Sequence, residues 1–447
     1  MIRNWVGQTV DDEFYRACDR YGIMIWQDFW LANPGDGPNP KDNAMFMQNA
    51  DDFVKRIRNH PSLALYCGRN EGNPPEPLDS GLRKLLSQLQ PDMHYISSSS
   101  FGPVSGGGPY RAMPVKFYFE KRATEKIHSE LGMPNMVSYE SLKQMLPDSS
   151  LWPINRLWGV HDFNLESAQY GYSFIQQMND NFGPSDSLKE WLSLAQWINY
   201  QGYRAMFEAQ GKNRMGLLLW MSHPSWPSMV WQTYDYYFEP TAAYFGCKKA
   251  CEPLHIQWNP LSDSIEVVNY RNSDGTGLTA IMEIFNIDGA AKLKKKIAVD
   301  CPEDHIVRCC PMEYPSGLSS VYFVRLTLKK GSSIISENFY WHEQKDGDLK
   351  AVRNFPKIKL EIKTKTARKG SRYYLTATMI NKTKYPALMV KLSVIGSRSK
   401  ERMLPVIFSD NYISLMPGEK RIVTMELQDA DTRGEQAEVV VTGYPGE

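Results

Sequence analysis

The hydrophobic pattern of this 447-residue chain changes near Pro253, and that change limits the folds it can adopt. Before Pro253, short apolar runs such as Ile23–Trp26 and Leu63–Tyr66 alternate with amphipathic stretches of helical period, such as residues 12–21. This alternation is typical of a parallel sheet with crossover helices, and its length favours a barrel. We therefore predict a (β/α)8 TIM barrel over residues 1–250.

After Pro253 the pattern acquires the period of two that is typical of half-buried strands, as in residues 264–268 and 373–380. The remaining length fits two immunoglobulin-like β-sandwiches of about 100 residues each. We place them at 251–348 and 349–447. Neither carries a cluster of acids, bases or metal ligands, so we expect both to be structural.

The composition of the chain argues against several classes of binding partner. The chain has 51 Lys and Arg against 50 Asp and Glu, a formal net charge of +1 that gives no electrostatic reason to expect nucleic acid. No apolar run is long enough to cross a bilayer. The seven cysteines show no CxxC spacing, which argues against a zinc site or disulfide scaffold. Cys301 could still pair with Cys309 or Cys310, but buried free thiols are the simpler interpretation.

Two glutamates fall where apolar strands end. Leu63–Cys67 leads into Asn70 and Glu71, and residues 126–129 lead into Glu130. At the carboxyl ends of parallel barrel strands, such side chains converge on one substrate. Hydrolysis of a glycosidic bond with retention needs a protonated acid and an ionised carboxylate about 5–5.5 Å apart. We assign the first role to Glu71 and the second to Glu130, which needs a nearby cation such as Arg3.

A simpler interpretation exists for each residue taken singly. An isolated strand-end glutamate more often caps a helix or forms an ion pair. Tryptophans are more often core residues than sugar platforms, although Trp220 ends an apolar strand and could stack on the apolar face of a sugar. The pair of glutamates is therefore stronger evidence than either member.

The chain resembles glycoside hydrolase family 2, in the branch of β-mannosidases, exo-β-glucosaminidases and plant-type endo-β-mannosidases. The resemblance covers nearly the whole chain. Its most specific motif is the Asn70-Glu71 pair, preceded by Asn59-His60-Pro61. Other similar segments are Arg3-Asn4-Trp5-Val6-Gly7, Tyr21-Gly22-Ile23-Met24-Ile25-Trp26-Gln27-Asp28-Phe29, His128-Ser129-Glu130-Leu131-Gly132 and Trp226-Pro227-Ser228-Met229-Val230-Trp231-Gln232.

This resemblance implies roles for individual residues. Glu71 is the expected acid/base and Glu130 the expected nucleophile, with Glu140 a weaker alternative for the second role. No metal or organic cofactor is implied. The expected substrate-binding residues are Asn70, Trp220, Asp28, Trp26, Tyr110 and Arg3.

The sequence departs from the family pattern at its start and at Arg69. Family members carry a jelly roll, an immunoglobulin-like domain and a first barrel strand before the Arg3 segment, and these are absent here. We expect a longer protein, a fragment, or a partner that supplies the missing part. Arg69, beside Asn70, could favour a charged sugar, but a pairing with a nearby carboxylate is the simpler expectation.

The predicted function is retaining hydrolysis of a β-linked sugar, with a β-mannoside or β-glucosaminide ahead of a β-galactoside. The partner is thus a glycan, and the family resemblance favours a secreted or periplasmic setting. Two alternatives remain open. One is a non-catalytic carbohydrate-binding or structural fragment, and the other is a specialised subunit whose partner carries the missing segment.

Overall fold

The computed structural model describes residues 1–6, 10–35, 37–121, 126–163, 171–209, 216–270 and 274–445. These residues form two compact units. The first unit contains the described residues of 1–109 together with 126–131 and 216–220. The second unit contains the other described residues.

The first unit holds all the parallel strands. Its strands are β1 (Ile2–Asn4), β2 (Ile25–Asp28), β3 (Leu63–Arg69), β4 (His94–Ser98), β5 (Val104–Ser105), β6 (Ile127–Leu131) and β7 (Leu217–Leu219). Its helices are α1 (Asp12–Tyr21), α2 (Asn43–Ile57) and α3 (Leu78–Leu89). Strand and helix alternate from β1 to β4, which confirms the predicted α/β pattern.

These strands form two parallel sheets. One has the order β1-β2-β3-β4 and the other the order β5-β6-β7. In the described part of the chain no strand pairing joins the two sheets, so the predicted closed barrel is not confirmed. The parallel arrangement places the carboxyl ends of neighbouring strands at one edge of each sheet.

Local sequence explains where the helices begin and end. Asp42 caps α2, because its carboxylate accepts a hydrogen bond from the Met45 amide at 2.9 Å. Helix α1 carries acidic residues in its first turn and ends at Gly22, whose φ of 66° suits a residue without a side chain. The buried face of these helices packs on the sheet around Phe29, Phe53 and Tyr66.

The second unit begins with helices and continues into antiparallel sheets. Its helices are α4 (Val115–Lys121), α5 (Tyr139–Met145), α6 (Arg156–Val160), α7 (Gly171–Phe182), α8 (Leu188–Glu208) and α9 (Ala242–Ala250). The strands before the 3-10 helix at Lys350–Asn354 are β8 (Leu254–Asn259), β9 (Ser264–Asn269), β10 (Leu278–Asn286), β11 (Ala291–Val299), β12 (His305–Pro311), β13 (Val321–Lys330) and β14 (Ser333–Glu343). Those after it are β15 (Glu361–Lys369), β16 (Arg372–Ile380), β17 (Ala387–Gly396), β18 (Ile407–Phe408), β19 (Ile413–Leu415), β20 (Lys420–Gln428) and β21 (Ala437–Tyr444).

Four antiparallel sheets follow residue 253, two on each side of the 3-10 helix. The first pair has the orders β11-β10-β13-β14 and β12-β9-β8, and the second has the orders β15-β16-β20-β18 and β19-β17-β21. The first pair encloses a core that includes Ile256, Met282 and Val324, each with no exposed surface. The predicted change from helical to period-two patterning near Pro253 is therefore confirmed, whereas the exact domain boundaries stay a prediction.

Three further observations concern the sequence expectations. In the described part of the chain, no helix is both long and apolar enough to span a membrane. The seven cysteines are free thiols, including Cys301, Cys309 and Cys310. Trp26 and Trp158 have no exposed surface, whereas Trp226 is 41% exposed.

Candidate active site

Arg3 is the centre of a buried polar cluster in the first unit. Its guanidinium donates to the Asp28 carboxylate (Nη2 to Oδ2, 2.7 Å), to the Glu130 carboxylate (Nη1 to Oε1, 2.5 Å) and to the Asn70 amide oxygen (Nη2 to Oδ1, 2.8 Å). These four side chains lie on or directly after strands β1, β2, β3 and β6. One cation therefore gathers residues that are as much as 127 positions apart in the chain.

The cluster is almost fully shielded from solvent. The side chains of Arg3, Asp28 and Glu130 are 5%, 0% and 4% exposed. Burial alone would lower the pKa of Arg3, but the Asp28 and Glu130 carboxylates raise it well above its usual value. Arg3 thus stays charged, and its charge-assisted hydrogen bonds stabilise two negative charges that burial would otherwise disfavour.

Asp28 orients the cation. Its carboxylate also accepts hydrogen bonds from the Trp26 indole at 2.7 Å and from the Val6 amide at 3.3 Å. The Trp26 ring lies 5.3 Å from the Arg3 guanidinium carbon. Trp26 and Asp28 were expected to be pocket-wall residues, yet neither has exposed surface in this structure. Both residues contact Arg3 and help to fix its position. Direct contact of either residue with a substrate stays a prediction.

Glu71 follows Asn70 in a left-handed backbone conformation, with a φ of 47°. Because a side chain disfavours this conformation, surrounding contacts must hold it. The Ser99 hydroxyl does so by accepting a hydrogen bond from the Glu71 amide (3.0 Å) and donating one to the Asn70 amide oxygen (3.0 Å). The Asn33 amide donates to the Glu71 carboxylate at 3.3 Å.

Hydrogen bonds of strand β6 fix the position of Glu130. Ser129 donates to the Ser99 carbonyl at 2.6 Å, and the Gly108 amide donates to the Glu130 carbonyl at 3.2 Å. Gly106 allows this close approach, because a Cβ there would lie 2.4 Å from the Ser129 hydroxyl. Ser99 therefore contacts both Glu71 and Ser129, the residue that precedes Glu130.

Two tryptophans of the first unit stand together near the ends of β1 and β7. Trp5 and Trp220 meet edge to face, with ring centroids 4.8 Å apart. Both rings are partly exposed. The Trp5 indole nitrogen is buried and has no hydrogen-bond partner among the described residues. Trp220 thus retains the partly open face that its predicted role in sugar stacking requires.

Among the described residues, Arg69 does not form the ion pair with a carboxylate that was the simpler expectation, and a role in favouring a charged sugar stays a prediction. It is 4% exposed, and its guanidinium donates to the Ala32 carbonyl at 2.7 Å and to the Asn39 side-chain oxygen at 2.8 Å. Arg69 therefore ties the segment around Ala32 to the end of β3. The same segment carries Asn33, which contacts Glu71.

The other candidate residues lie in the second unit. Tyr110 packs against Trp231 with ring centroids 5.0 Å apart, and its carbonyl accepts a hydrogen bond from the Trp231 indole. Glu140 forms an ion pair with Lys391 at 3.4 Å and its side chain is 52% exposed. The structure therefore brings Arg3, Asn70 and Glu130 together within the first unit. Tyr110 and Glu140 belong to the second unit.

Sequence reasoning missed Asn33, Ser99 and Trp5 as site residues. Asn33 and Ser99 come from connections after β2 and β4, where no local pattern separates them from ordinary loop residues. The signal that could have identified Ser99 is its place at the end of β4 within a run of four serines, residues 97–100. Trp5 lay inside the resembling Arg3 segment.

The arrangement pairs two carboxylates in different surroundings. Glu130 is buried against the positive charge of Arg3, which stabilises it as an anion. Glu71 is partly exposed and receives one amide hydrogen bond. An ionised, fixed carboxylate suits nucleophilic attack, and a more accessible carboxyl suits proton transfer with a leaving group or water.

Comparisons with known proteins all find glycosidases as relatives of this chain. Residues 338–445 match the family model of the exo-β-D-glucosaminidase Ig-fold domain. The mannosylglycoprotein endo-β-mannosidase of Lilium longiflorum is 26% identical, covering 96% of this chain and 58% of that protein. An exo-β-D-glucosaminidase of Streptomyces avermitilis is 27% identical, covering 98% of this chain and 54% of that protein. The chain therefore spans a little over half the length of these relatives.

Solved structures show the same fold. An exo-chitosanase of Amycolatopsis orientalis superposes with a TM-score of 0.89 at 23% identity, covering 98% of this chain and 58% of that one. A β-D-mannosidase of Dictyoglomus thermophilum superposes with a TM-score of 0.76 at 21% identity, covering 99% and 56%. The chain is a homologue of the glycosidases named exo-β-D-glucosaminidase, β-mannosidase and mannosylglycoprotein endo-β-mannosidase.

Proposed function

We propose that the protein is a retaining β-glycosidase whose substrate is a β-mannoside or a β-glucosaminide. The single observation that carries the proposal is the Arg3-centred cluster, in which Glu130 and Asn70 bond one guanidinium while Glu71 directly follows Asn70. The names of the relatives support the two substrate classes.

The proposed mechanism is a double displacement. Glu130 attacks the anomeric carbon while Glu71 donates a proton to the departing glycosidic oxygen, which gives a covalent glycosyl-enzyme and a free alcohol. Glu71 then takes a proton from water as that water attacks the anomeric carbon and releases Glu130. Asn70 faces Arg3 and Ser99 with its oxygen, which directs its NH2 group away from them and makes it a donor for a sugar hydroxyl or amine.

We further propose that β1 to β7 are the second to eighth strands of a (β/α)8 barrel, with active residues at their carboxyl ends. The seven parallel strands and the likeness to the exo-chitosanase fold support this interpretation.

The first experiment is a panel of aryl β-D-glycosides, including mannoside, glucosaminide and galactoside, followed by labelling with an activated 2-fluoro sugar of the preferred class. We expect the label on the peptide that contains Glu130. Replacing Glu71 with Ala should slow substrates with poor leaving groups most, and added azide should restore turnover as a β-glycosyl azide.

Glu140→Gln is the matched control, because Glu140 also follows β6 but pairs with Lys391 in the second unit. It should keep normal turnover and normal labelling. A label on Glu140, or normal turnover in both Glu71→Gln and Glu130→Gln, would overturn the proposal. Binding of glycans without any turnover would favour the non-catalytic alternative instead.

A further inference from the structure

The second unit contains a cleft of about 1290 Å³ that none of the proposed catalytic residues lines. It lies between helices α4, α7 and α8 on one side and the first pair of antiparallel sheets on the other. Its volume exceeds the roughly 300–1,000 Å³ typical of small-molecule pockets. The space therefore suits an extended ligand of several linked units.

Aromatic side chains form part of the lining. Trp341 stacks on Trp197 with ring centroids 4.7 Å apart and an interplanar angle of 23°. Trp258 contacts His342 edge to face at 4.4 Å and donates from its indole to Asp263. Trp197 and Trp341 are buried against each other, at 5% and 6% exposure, and support the wall of the cleft, whereas Trp258 keeps partly exposed surface.

Two further rings at the cleft are open to solvent. Tyr172 on α7 is 51% exposed, and Tyr314 in the loop before β13 is 53% exposed. The Tyr314 hydroxyl donates to both oxygens of Asp263, at 2.8 and 2.9 Å, so this ring is fixed despite its exposure. Because Tyr314 is exposed and fixed in position, its ring can stack on the C–H face of a sugar.

Polar groups line the cleft between these rings. The amides are Gln176, Gln177, Asn181, Gln201 and Gln344. The Gln177 side-chain oxygen and the His342 Nε2 atom are buried without a hydrogen-bond partner among the described residues, and His342 is 6% exposed. Buried polar atoms are normally paired, so an unpaired amide and imidazole in one cleft point to a ligand with hydroxyl groups.

The charges at the cleft exclude some ligand classes. Its carboxylates are Asp180, Glu343 and Asp346, whereas its cations among the described lining residues are Arg111 and Lys116. This balance disfavours a phosphate-bearing or nucleic acid ligand, which would need an excess of Lys and Arg. It accepts a neutral ligand or one that carries amines.

We propose that this cleft is a second glycan-binding site, which holds an oligosaccharide of neutral or amino sugars without hydrolysing it. Aromatic faces, side-chain amides and carboxylates together are the groups that recognise such a chain, and the cleft contains all three. The inference concerns residues outside the proposed catalytic cluster and does not depend on hydrolysis by Glu71 and Glu130.

The test uses the Glu130→Gln protein, so that no substrate is consumed, with a glucosamine tetrasaccharide and a mannose tetrasaccharide as probes. Hydrogen–deuterium exchange should show protection of peptides that cover residues 171–182 and 314–322 when one of the tetrasaccharides binds. Calorimetry should show a binding event that Tyr172→Ala or Gln177→Met weakens by about tenfold or more.

Gln177→Met is the sharper variant, because it removes a polar group whose oxygen has no protein partner while keeping its size. We expect unchanged or higher thermal stability together with weaker binding, a combination that a purely structural role would not produce. Tyr374→Ala, which removes a 37% exposed tyrosine from β16, is the matched control and should bind normally.

Protection confined to peptides that cover residues 69–71 and 127–131, with normal binding by both cleft variants, would overturn the inference. Turnover of a monosaccharide aryl glycoside, measured with Glu130 intact, should be the same in Gln177→Met and the unaltered protein. If the unaltered protein hydrolyses nothing but the cleft peptides are protected, the proposed hydrolysis fails and the second site stands.

Discussion

Two buried charge clusters in this protein contain similar groups but differ in what surrounds them. In the first unit, Arg3 faces the carboxylates of Asp28 and Glu130. In the second unit, Glu239 pairs with Lys391 at 2.8 Å and with Arg402, while Asp235 lies close by. Burial, ion pairing and two carboxylates are therefore common to both.

In the Glu239 cluster, groups of the protein itself donate hydrogen bonds to the carboxylates of Glu239 and Asp235. Ser138 and Arg402 donate to one Glu239 oxygen and Lys391 to the other. Asp235 accepts from the Ser141 hydroxyl and, at 2.9 Å, from the backbone amides of Tyr237 and Glu239. Lys391 lies on β17, so the cluster ties the segment after β7 to the last pair of sheets.

The Arg3 cluster differs because it adjoins a partly exposed carboxyl, Glu71, and a partly exposed aromatic pair, Trp5 and Trp220. A buried charge cluster alone thus does not identify an active site. The feature that favours the Arg3 cluster as the candidate site is a buried carboxylate, Glu130, that shares Arg3 with Asn70, the residue before the partly exposed Glu71.

The largest expected effect distinguishes one carboxylate of the first cluster, Glu130, from one carboxylate of the second cluster, Glu239. Glu130→Gln should reduce kcat for the preferred aryl glycoside by about 10⁴-fold or more, equivalent to roughly 5 kcal/mol, because the nucleophile is lost. Glu239→Gln, measured per folded molecule, should keep kcat within about twofold. Steady-state kinetics with active-site titration checks both. Equal losses in the two variants would remove the distinction between the clusters.

The next effect concerns stability. Glu239→Gln leaves Arg402 buried beside a neutral group and leaves Lys391 with its longer contact to the exposed Glu140, so we expect the free energy of unfolding to fall by about 3–5 kcal/mol. Denaturant unfolding followed by intrinsic fluorescence measures this change. A matched removal of an exposed pair, Glu401→Gln opposite Arg433, should change stability by less than about 1 kcal/mol. A Glu239→Gln protein as stable as the control would contradict the prediction.

The pH dependence of the second cluster is smaller and has a definite sign. Burial and the neighbouring Glu239 carboxylate raise the pKa of Asp235 from 3.8 to about 6. The folded state therefore keeps a proton that the unfolded chain has released, and stability should fall as pH rises from about 4 to 6, by on the order of 2–3 kcal/mol.

Glu239 acts in the opposite direction at lower pH. Although burial opposes its charge, Lys391 and Arg402 lower the pKa of Glu239 from 4.5 to about 2, so its contribution is lost as pH falls through that range. Asp235 contributes to the fall in stability as pH rises between 5 and 6, together with other carboxyls whose pKa burial raises, such as Glu266 and Asp410, so Asp235→Asn should reduce the fall. Unfolding midpoints measured in this interval check the slope, and an unchanged slope in the variant would reject the assignment.

The smallest expected effect returns to the first unit. Asn33→Ala removes the amide that donates to the Glu71 carboxylate, so we expect kcat to fall by about tenfold for glycosides with poor leaving groups. Activated leaving groups, which need little protonation, should be affected much less. A uniform loss across leaving groups would show that Asn33 acts on substrate binding rather than on the acid.

Local sequence was sufficient for most of the secondary structure. Helix α1 coincides with the predicted 12–21, because helical periodicity and capping residues act over a few positions. Strands β9 and β16 follow their period-two patterns for the same reason. Closure of a barrel, which depends on pairing between distant strands, was beyond such reasoning.

The same division holds at the candidate site. The Asn70-Glu71 and Ser129-Glu130 motifs were recognisable in the sequence, because each is a short segment after or within an apolar strand. Arg69 was also noticed, but its contacts with Ala32 and Asn39 were not foreseen, since they depend on how a connection folds over the strand end.

By itself, then, the sequence determined which residues carry acid, amide and aromatic groups and on which strands they lie. Tertiary structure alone decided that Arg3 would bond Glu130 across 127 residues and that Ser99 would hold Asn70 and Glu71 together. It also decided that Asp28 would bond Arg3 from a position with no exposed surface. The physical reason is that side-chain hydrogen bonds form wherever the packed strands bring donors and acceptors within about 3 Å, irrespective of their separation along the chain.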